Sequence, residues 1–285
     1  DFNVIFRQQP KLSVGNHFGS RLVFDRDGYL FIALGENNQR PTAQDLDKLQ
    51  GKVVRILPDG TVPKDNPFVG QDNVRPEIWS FGHRNQQGAA LNPWTGELWT
   101  NEHRPRGGDE INLPKPGKNY GWPIATYGVD YSGAYVSPFQ TYPGTEPPLI
   151  DWTPSLAPAG IAQCRGCQWP EWEGDLFVGM LAGMQVRHIQ MEAGKVVGQE
   201  PLLTEVGERI RNLQFGPEGA LYILTDGPDA KLLRVSAESL KTSLNEHSGH
   251  ALYQSHCAHC HQSGQPKTPA RALLNMMTPQ AIYRA

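Results

Sequence analysis

The sequence has no long run of basic residues, no apolar stretch near the roughly 18 residues a membrane-spanning helix needs, and no leader peptide ahead of its first strand-like segment. The first lack, with a net charge of −3, argues against nucleic acid as a partner. The second excludes a helical transmembrane segment. The third carries little weight, because the chain opens on Asp1 rather than Met and runs directly into strand-like sequence, so the N-terminus reads as cut. Cysteine is limited to four residues in two C-x-x-C pairs, Cys164/Cys167 and Cys257/Cys260, and only the second pair is followed by a histidine, His261.

Turn chemistry, by contrast, is abundant. Gly 30 and Pro 24 make up about 19% of the 285 residues, against ~12% on average. Many short strands joined by long loops fit this better than a helical bundle, and a hydrophobic content of 38% is still enough for a sizeable core. One pattern recurs: an acidic residue or Thr, then Gly, any residue, Leu and an aromatic. It appears at Asp27-Gly28-Tyr29-Leu30-Phe31, Thr95-Gly96-Glu97-Leu98-Trp99, Glu173-Gly174-Asp175-Leu176-Phe177 and Glu218-Gly219-Ala220-Leu221-Tyr222. The glycines are 68, 78 and 45 residues apart. Each follows an apolar strand-like run and supplies the positive φ of a tight hairpin. Hairpins repeating at such intervals predict propeller blades with long inserted loops; a β-sandwich with similar hairpins is the plainer alternative. Asp25-Arg26-Asp27-Gly28 has two carboxylates but lacks the rest of a calcium loop, so it reads as a turn.

The strand pattern stops near Ser236. Residues 237–249 are polar and read as a linker, and a helical pattern begins at His250. The expected organisation is therefore a β domain over 1–236 and a second domain over 250–285. Cys257-Ala258-His259-Cys260-His261 is C-x-x-C-H, in which the two thiols add to the haem vinyl groups and the histidine takes the iron. A short helix before it and a Gly- and Pro-containing loop after it fit the start of an α-helical class I cytochrome c domain. Met276 and Met277 read as packing residues, which places the sixth iron ligand beyond Ala285. Cys164-Arg165-Gly166-Cys167 has no such histidine; a small loop disulfide, free thiols and a reducible pair are all open.

Three ordered segments carry a resemblance: Asn16-His17-Phe18-Gly19-Ser20-Arg21-Leu22; Gly82-His83-Arg84-Asn85-Gln86-Gln87-Gly88; and Asn101-Glu102-His103 with Gly107-Gly108-Asp109-Glu110-Ile111-Asn112 and Lys118-Asn119-Tyr120-Gly121-Trp122-Pro123. In this order they resemble the soluble aldose sugar dehydrogenases, enzymes that use pyrroloquinoline quinone (PQQ). The resemblance runs from the first residue to about Val235. It implies an all-β, six-bladed propeller, with the first blades lying before residue 1. It also implies oxidation of an aldose at its C1 hydroxyl to a lactone, hydride passing to PQQ. With the haem motif it implies a quinohaemoprotein that sends electrons through haem c to a respiratory acceptor in the periplasm.

The residues make chemical sense in these roles. PQQ is a tricarboxylate, and arginine pairs with carboxylate in a bidentate fashion. Arg84 is one candidate; Arg209 and Arg211 are two more, because strand alternation puts both on one face with Ile210 behind them. By resemblance, Arg84, Asn85, Tyr131, Arg209 and Arg211 contact the cofactor. His17 matches the catalytic base, Glu36 an acidic partner that orients it, and Arg84 also faces charge developing on the quinone. Read alone, His17 would be a structural loop histidine, and His83 and His103 read as structural or pocket-lining. Calcium is implied as well. The carbonyls of Arg104 and Pro105 would face the cofactor ion, and Glu110 and Tyr120 match a further calcium site, although Glu110 reads equally as a turn-capping carboxylate.

Three departures stand out. The loop Leu181-Ala182-Gly183-Met184 has no Lys where the family often places one against the cofactor. Arg104 stands where a small Gly is usual, and Gln86 where Pro is usual. Two rival readings follow. One is a non-catalytic propeller that binds a sugar or protein, with haem as an electron carrier. The other is a calcium-dependent lactonase, which leaves Arg209, Arg211 and the haem motif unexplained.

Overall fold

The structure, a computed structural model, describes residues 2–238. Cys257, Cys260 and His261, and the predicted cytochrome domain with them, lie outside the described residues. One compact unit is Asp1–Leu233; a second begins at Arg234.

The described residues form fifteen strands, three short 3-10 turns and four separate antiparallel sheets. The first sheet is β1 (Gly19–Phe24), β2 (Leu30–Leu34), β3 (Lys52–Ile56) and β4 (Ile78–Phe81), paired in that order. The second is β5 (Asn85–Leu91), β6 (Leu98–His103), β7 (Asp109–Asn112) and β8 (Ile150–Trp152). The third is β9 (Pro158–Gln163), β10 (Leu176–Met180), β11 (Gln185–Glu192) and β12 (Lys195–Leu202). The last contains β13 (Arg209–Phe215), β14 (Leu221–Asp226) and β15 (Leu232–Val235). The first strands pack on one another in chain order, β1 on β5, β5 on β9 and β9 on β13. Successive meanders with adjoining first strands are the arrangement of neighbouring propeller blades. A sandwich would have gathered these strands into two facing sheets.

The repeated sequence pattern falls on the first hairpin of every sheet. Gly28, Gly96, Gly174 and Gly219 sit there with φ of 84°, 77°, 96° and 79°. The turn reading of Asp25 also holds, since its Oδ1 accepts the Asp27 and Tyr29 N–H groups at 3.0 and 2.8 Å.

Strands within the sheets are buried on both faces, which explains their continuous apolar runs. Leu30, Ile32 and Leu34 of β2 pack with Val54, Ile56, Ile78, Leu49 and Phe68, while Phe31 on the opposite face meets Val53 and Leu98 of the next sheet. A second core lies between the second and third sheets, where Trp99, Ile111, Ile150 and Trp152 meet Ile161, Leu176, Val178, Met180 and Ile189. The inner strands come closer than side chains would allow. A Cβ on Gly88 would fall 2.0 Å from the Ala159 carbonyl oxygen, so glycine there lets β5 and β9 touch. Gln86 ties the same edge, its amide donating to the Leu34 and Lys52 carbonyls at 3.4 and 3.1 Å, two bonds that a proline there could not make. Cys164 and Cys167 form a buried disulfide.

Candidate active site

The polar residues singled out in the sequence meet where the inner strands begin or end. His17 precedes β1 with φ of 56°, a left-handed conformation in which histidine is uncommon. Gly35, just after β2, makes that conformation possible, because a Cβ there would lie 1.8 Å from the His17 carbonyl oxygen. The same carbonyl accepts Asn37 N–H and Asn37 Nδ2 at 3.2 and 3.1 Å. His17 is thereby held against Glu36, whose Oε1 bonds His17 Nδ1. Glu36 is fully buried, and its own N–H donates to the Arg84 carbonyl at 2.8 Å. A carboxylate at Nδ1 fixes the proton on that nitrogen and leaves Nε2 as the acceptor, which is the form a general base requires.

Arg84 immediately precedes β5 and is buried. Its Nη1 donates to the His103 carbonyl at 2.9 Å, its N–H to Glu102, and its guanidinium interacts with the Tyr131 hydroxyl. Burial lowers its pKa from the ordinary value against the pull of Tyr131 and Glu36. Tyr131 itself is exposed, on a tight turn closed by Asp130 N–H to Ala134 O at 2.8 Å and gripped by an Arg40–Asp130 ion pair. Arg40 follows Glu36 in the chain, so one loop positions the acid and anchors the turn that carries the tyrosine.

Arg209 and Arg211 share one face of β13, with Ile210 fully buried behind them as strand alternation predicts. Both hold Asp226, Arg209 Nε at 3.0 Å and Arg211 Nη2 at 3.1 Å. Arg211 Nη1 also donates to Gln87 Oε1 at 3.1 Å, Gln87 Nε2 to Asn85 Oδ1 at 3.0 Å, and Arg21 Nε to the Gln87 carbonyl. Burial lowers the Arg21 pKa, and the adjacent Arg211 adds to the effect. His103 lies in reach of both Arg84 and Arg211; burial depresses its pKa, and its Nε2 meets the Pro158 carbonyl at 2.7 Å. All four sheets thus contribute to one network. Among the described residues, the anions that Arg21, Arg84, Arg209 and Arg211 meet are Glu36 and Asp226. A surplus of cations of which Arg84 is buried and Arg21 and Arg211 are partly buried favours a bound anion.

The calcium candidates also converge, in a different way. Arg104 is fully buried, and its Nη2 lies 2.6 Å from Glu110 Oε2, 3.2 Å from the Tyr120 carbonyl and 3.4 Å from Glu102 Oε1. Pro105 is buried beside it. Glu110 belongs to β7, and its carboxylate accepts from Arg104 Nη2 and Asn112 Nδ2, side-chain donors rather than the N–H groups of a turn. Burial opposes ionisation of both glutamates; at Glu102 the Arg104 and His83 contacts outweigh it and hold the carboxyl well below the usual range, whereas Glu110 is pushed above it. His83 is structural, bonded to Ser80 at 2.9 Å and stacked on Tyr120 at 4.8 Å.

Several contributors escaped the sequence reading. Trp122 is fully buried and has three guanidinia near its ring, those of Arg104, Arg84 and Arg40 at 5.2, 5.3 and 5.7 Å. Asp109 accepts Arg104 N–H at 2.9 Å through one oxygen, and Ser155 Oγ and the Leu156 and Ala157 N–H groups through the other, joining the second sheet to the start of the third. The Leu181–Met184 turn joins β10 to β11 and offers no lysine; its Ala182 and Gly183 N–H groups bond the Leu156 carbonyl.

Residues 1–234 match the glucose/sorbosone dehydrogenase family. The chain belongs to that family. Aldose sugar dehydrogenase YliI of Escherichia coli is 54% identical over 238 residues, which are 83% of this chain and 64% of that protein. Among solved structures, a glucose dehydrogenase is 59% identical with a TM-score of 0.82, over 83% of this chain and 69% of its own. The PQQ-bound aldose sugar dehydrogenase of Streptomyces coelicolor is 28% identical with a TM-score of 0.61, over 77% of this chain and 61% of its own. The chain therefore spans about two thirds of the length of the proteins it resembles.

Proposed function

We propose that this protein is a PQQ-dependent dehydrogenase that oxidises the C1 hydroxyl of an aldose to the lactone. The observation that carries the reading is the His17–Glu36 couple set beside a cluster of under-neutralised arginines. Arg84, Arg209 and Arg211, with Asn85 and Tyr131, would hold the carboxylates and carbonyls of PQQ, and the donor set fits: guanidinium, amide and phenol groups supplied by inner strand ends. Bound there, PQQ supplies the hydride acceptor. Backbone carbonyls of Arg104 and Pro105 would face a calcium ion at the cofactor, a role that does not depend on the side chain at position 104. His17 Nε2 takes the hydroxyl proton as hydride leaves C1. Glu36 keeps Nδ1–H in place and stabilises the imidazolium that results. Arg84 faces charge that builds on the acceptor.

The four sheets would be four of six blades. Cys257 and Cys260 would bind haem c covalently and His261 would ligate its iron, drawing electrons singly toward a respiratory acceptor in the periplasm; tethering donor to acceptor raises their effective concentration. The names of the E. coli and S. coelicolor relatives support the sugar and the quinone.

The test is reconstitution with PQQ and calcium, followed by an aldose panel read by haem absorbance. Sugar-dependent haem reduction that requires PQQ and is lost in His17→Ala is the expected result. PQQ binding without haem reduction would remove the relay and keep the dehydrogenase. A protein that binds no PQQ is not this enzyme, and the lysine-free Leu181–Met184 turn would then favour a non-catalytic binding propeller.

A further inference from the structure

Glu102 and Glu110 are both buried, on neighbouring strands β6 and β7, and they point toward one place. The Tyr120 carbonyl faces the same point, and Asn112 Nδ2 bridges the two carboxylates at 3.0 Å from each. Two carboxylates and a carbonyl around one buried position make a hard-cation donor set. The position is filled by this chain itself, because Arg104 Nη2 touches all three oxygens. Arg104 reaches the spot because its N–H is fixed by Asp109, and its guanidinium is seated against Trp122.

We propose that the Arg104 guanidinium serves as a tethered replacement for a divalent cation at the Glu102–Glu110–Tyr120 position, so that this chain takes no metal there and gains a calcium site when Arg104 is removed. The Nη2 nitrogen and a metal ion cannot share the position: calcium needs oxygen ligands at about 2.3–2.6 Å, and Glu110 Oε2 already accepts the Arg104 N–H at 2.6 Å. Arg104 also meets the electrostatic need that would retain a metal, since two buried carboxylates require a counter-cation and a covalent one dissociates at no calcium concentration. Asn112, His83 and the Arg84 N–H share the negative charge that a single guanidinium leaves over. A route for a metal exists: a cavity of about 140 Å³ is lined by Glu110, Tyr120 and Tyr127 and extends to Glu146. With Arg104 shortened, an ion entering from that cavity would meet the Glu110 oxygens first.

The inference stands apart from the catalytic reading, because its readout is cation binding without quinone or sugar. The probes are calcium by equilibrium dialysis and terbium by luminescence, since Trp122 and Tyr120 lie close enough to sensitise a bound lanthanide. In quinone-free wild type, no calcium and no terbium emission should be lost on Glu110→Gln. Arg104→Gly should gain about one calcium per chain, with terbium emission that disappears in Arg104→Gly/Glu110→Gln, and its unfolding midpoint should rise with calcium while that of wild type does not. Should Arg104→Gly be unfolded without metal, recovery of the fold in about 1 mM calcium would give the same answer. Wild-type calcium that vanishes in Glu110→Gln would overturn the proposal, as would an Arg104→Gly variant that gains no ion and no stability in calcium.

Discussion

Gly35→Ala should abolish most activity although it replaces no side chain of the site, because the added Cβ collides with the backbone of His17. The new Cβ would lie 1.8 Å from the His17 oxygen, 2.4 Å from its carbonyl carbon and 3.0 Å from that of Phe18. An ordinary contact is near 3.4 Å, so the His17 backbone must retreat by well over 1 Å; the partner is main chain, and no side-chain rotation relieves it. The retreat stretches the two bonds from Asn37 and draws His17 Nδ1 from Glu36. A displacement of about 1 Å in a catalytic group costs on the order of 10²-fold in rate. Overpacking of this kind costs about 1–3 kcal/mol, which is ~2–12 °C in melting midpoint for a domain of this size. Steady-state oxidation of the best aldose, with PQQ saturating, should therefore show kcat down ~10²-fold while PQQ affinity, set by Arg84 and Arg211, changes little. A variant that keeps kcat within ~3-fold of wild type while still melting cooperatively would refute the argument that this contact positions the base.

Other consequences follow from the same contacts. Glu36→Gln replaces the carboxylate that fixes His17 Nδ1–H and should lower kcat by about 10²–10⁴-fold with PQQ affinity retained; equal loss of affinity would mean that Glu36 is a cofactor residue instead. Arg211→Ala removes a charge-assisted bond worth about 1.5–3 kcal/mol and should weaken PQQ binding ~10–100-fold by fluorescence titration, with the unfolding midpoint nearly unchanged because Arg209 still holds Asp226. Lys52 is fully buried, its Nζ bonded to the Thr42, Ala43 and Gln50 carbonyls, and burial lowers its pKa to about 7. The unfolded chain then holds more protons than the native one between pH 7 and the ordinary lysine value, so stability should rise with pH across that window, by at most ~1.4 kcal/mol per unit. Urea midpoints at pH 7 and 9.5 should show that rise in wild type and lose it in Lys52→Met; parallel slopes in the two proteins would refute it.

The sheets were legible because their signal is local. A hairpin glycine followed by Leu and an aromatic announces a turn and a buried strand within five residues, and all four copies open a sheet. The Arg209–Ile210–Arg211 face was legible for the same reason, since period-two alternation needs no knowledge of the partner. What each charge meets was not. Glu36 and His17 are nineteen residues apart, Arg84 and His103 also nineteen, Arg211 and Gln87 one hundred and twenty-four. These pairings are set by which strand ends adjoin, a property of how successive sheets pack on one another. Trp122 illustrates the gap: its motif is visible in the sequence, yet the three arginines around it come from three separate stretches of chain.

The arginines of this protein divide by what neutralises them, and that division separates binding from architecture better than burial does. Arg104 and Arg84 are both buried, at 1% and 3% exposure, so accessibility alone would class them together. Arg104 has two carboxylates and a carbonyl on Nη2, so its charge is matched by neighbouring anions, although its buried Nε and Nη1 make no hydrogen bond. Arg84 Nη1 bonds the His103 carbonyl, with the Tyr131 phenol and Glu36 near its charge, and Arg209 and Arg211 share a single aspartate. A buried cation left partly neutralised, as Arg84 is, is costly unless something anionic arrives, whereas Arg209 and Arg211 keep part of their hydration and share their aspartate at the surface. The same accounting explains how this chain tolerates a large charged residue at position 104: Arg104 brings its charge to carboxylates that already needed one, and leaves the anion-seeking charge on the side of the site where His17 stands.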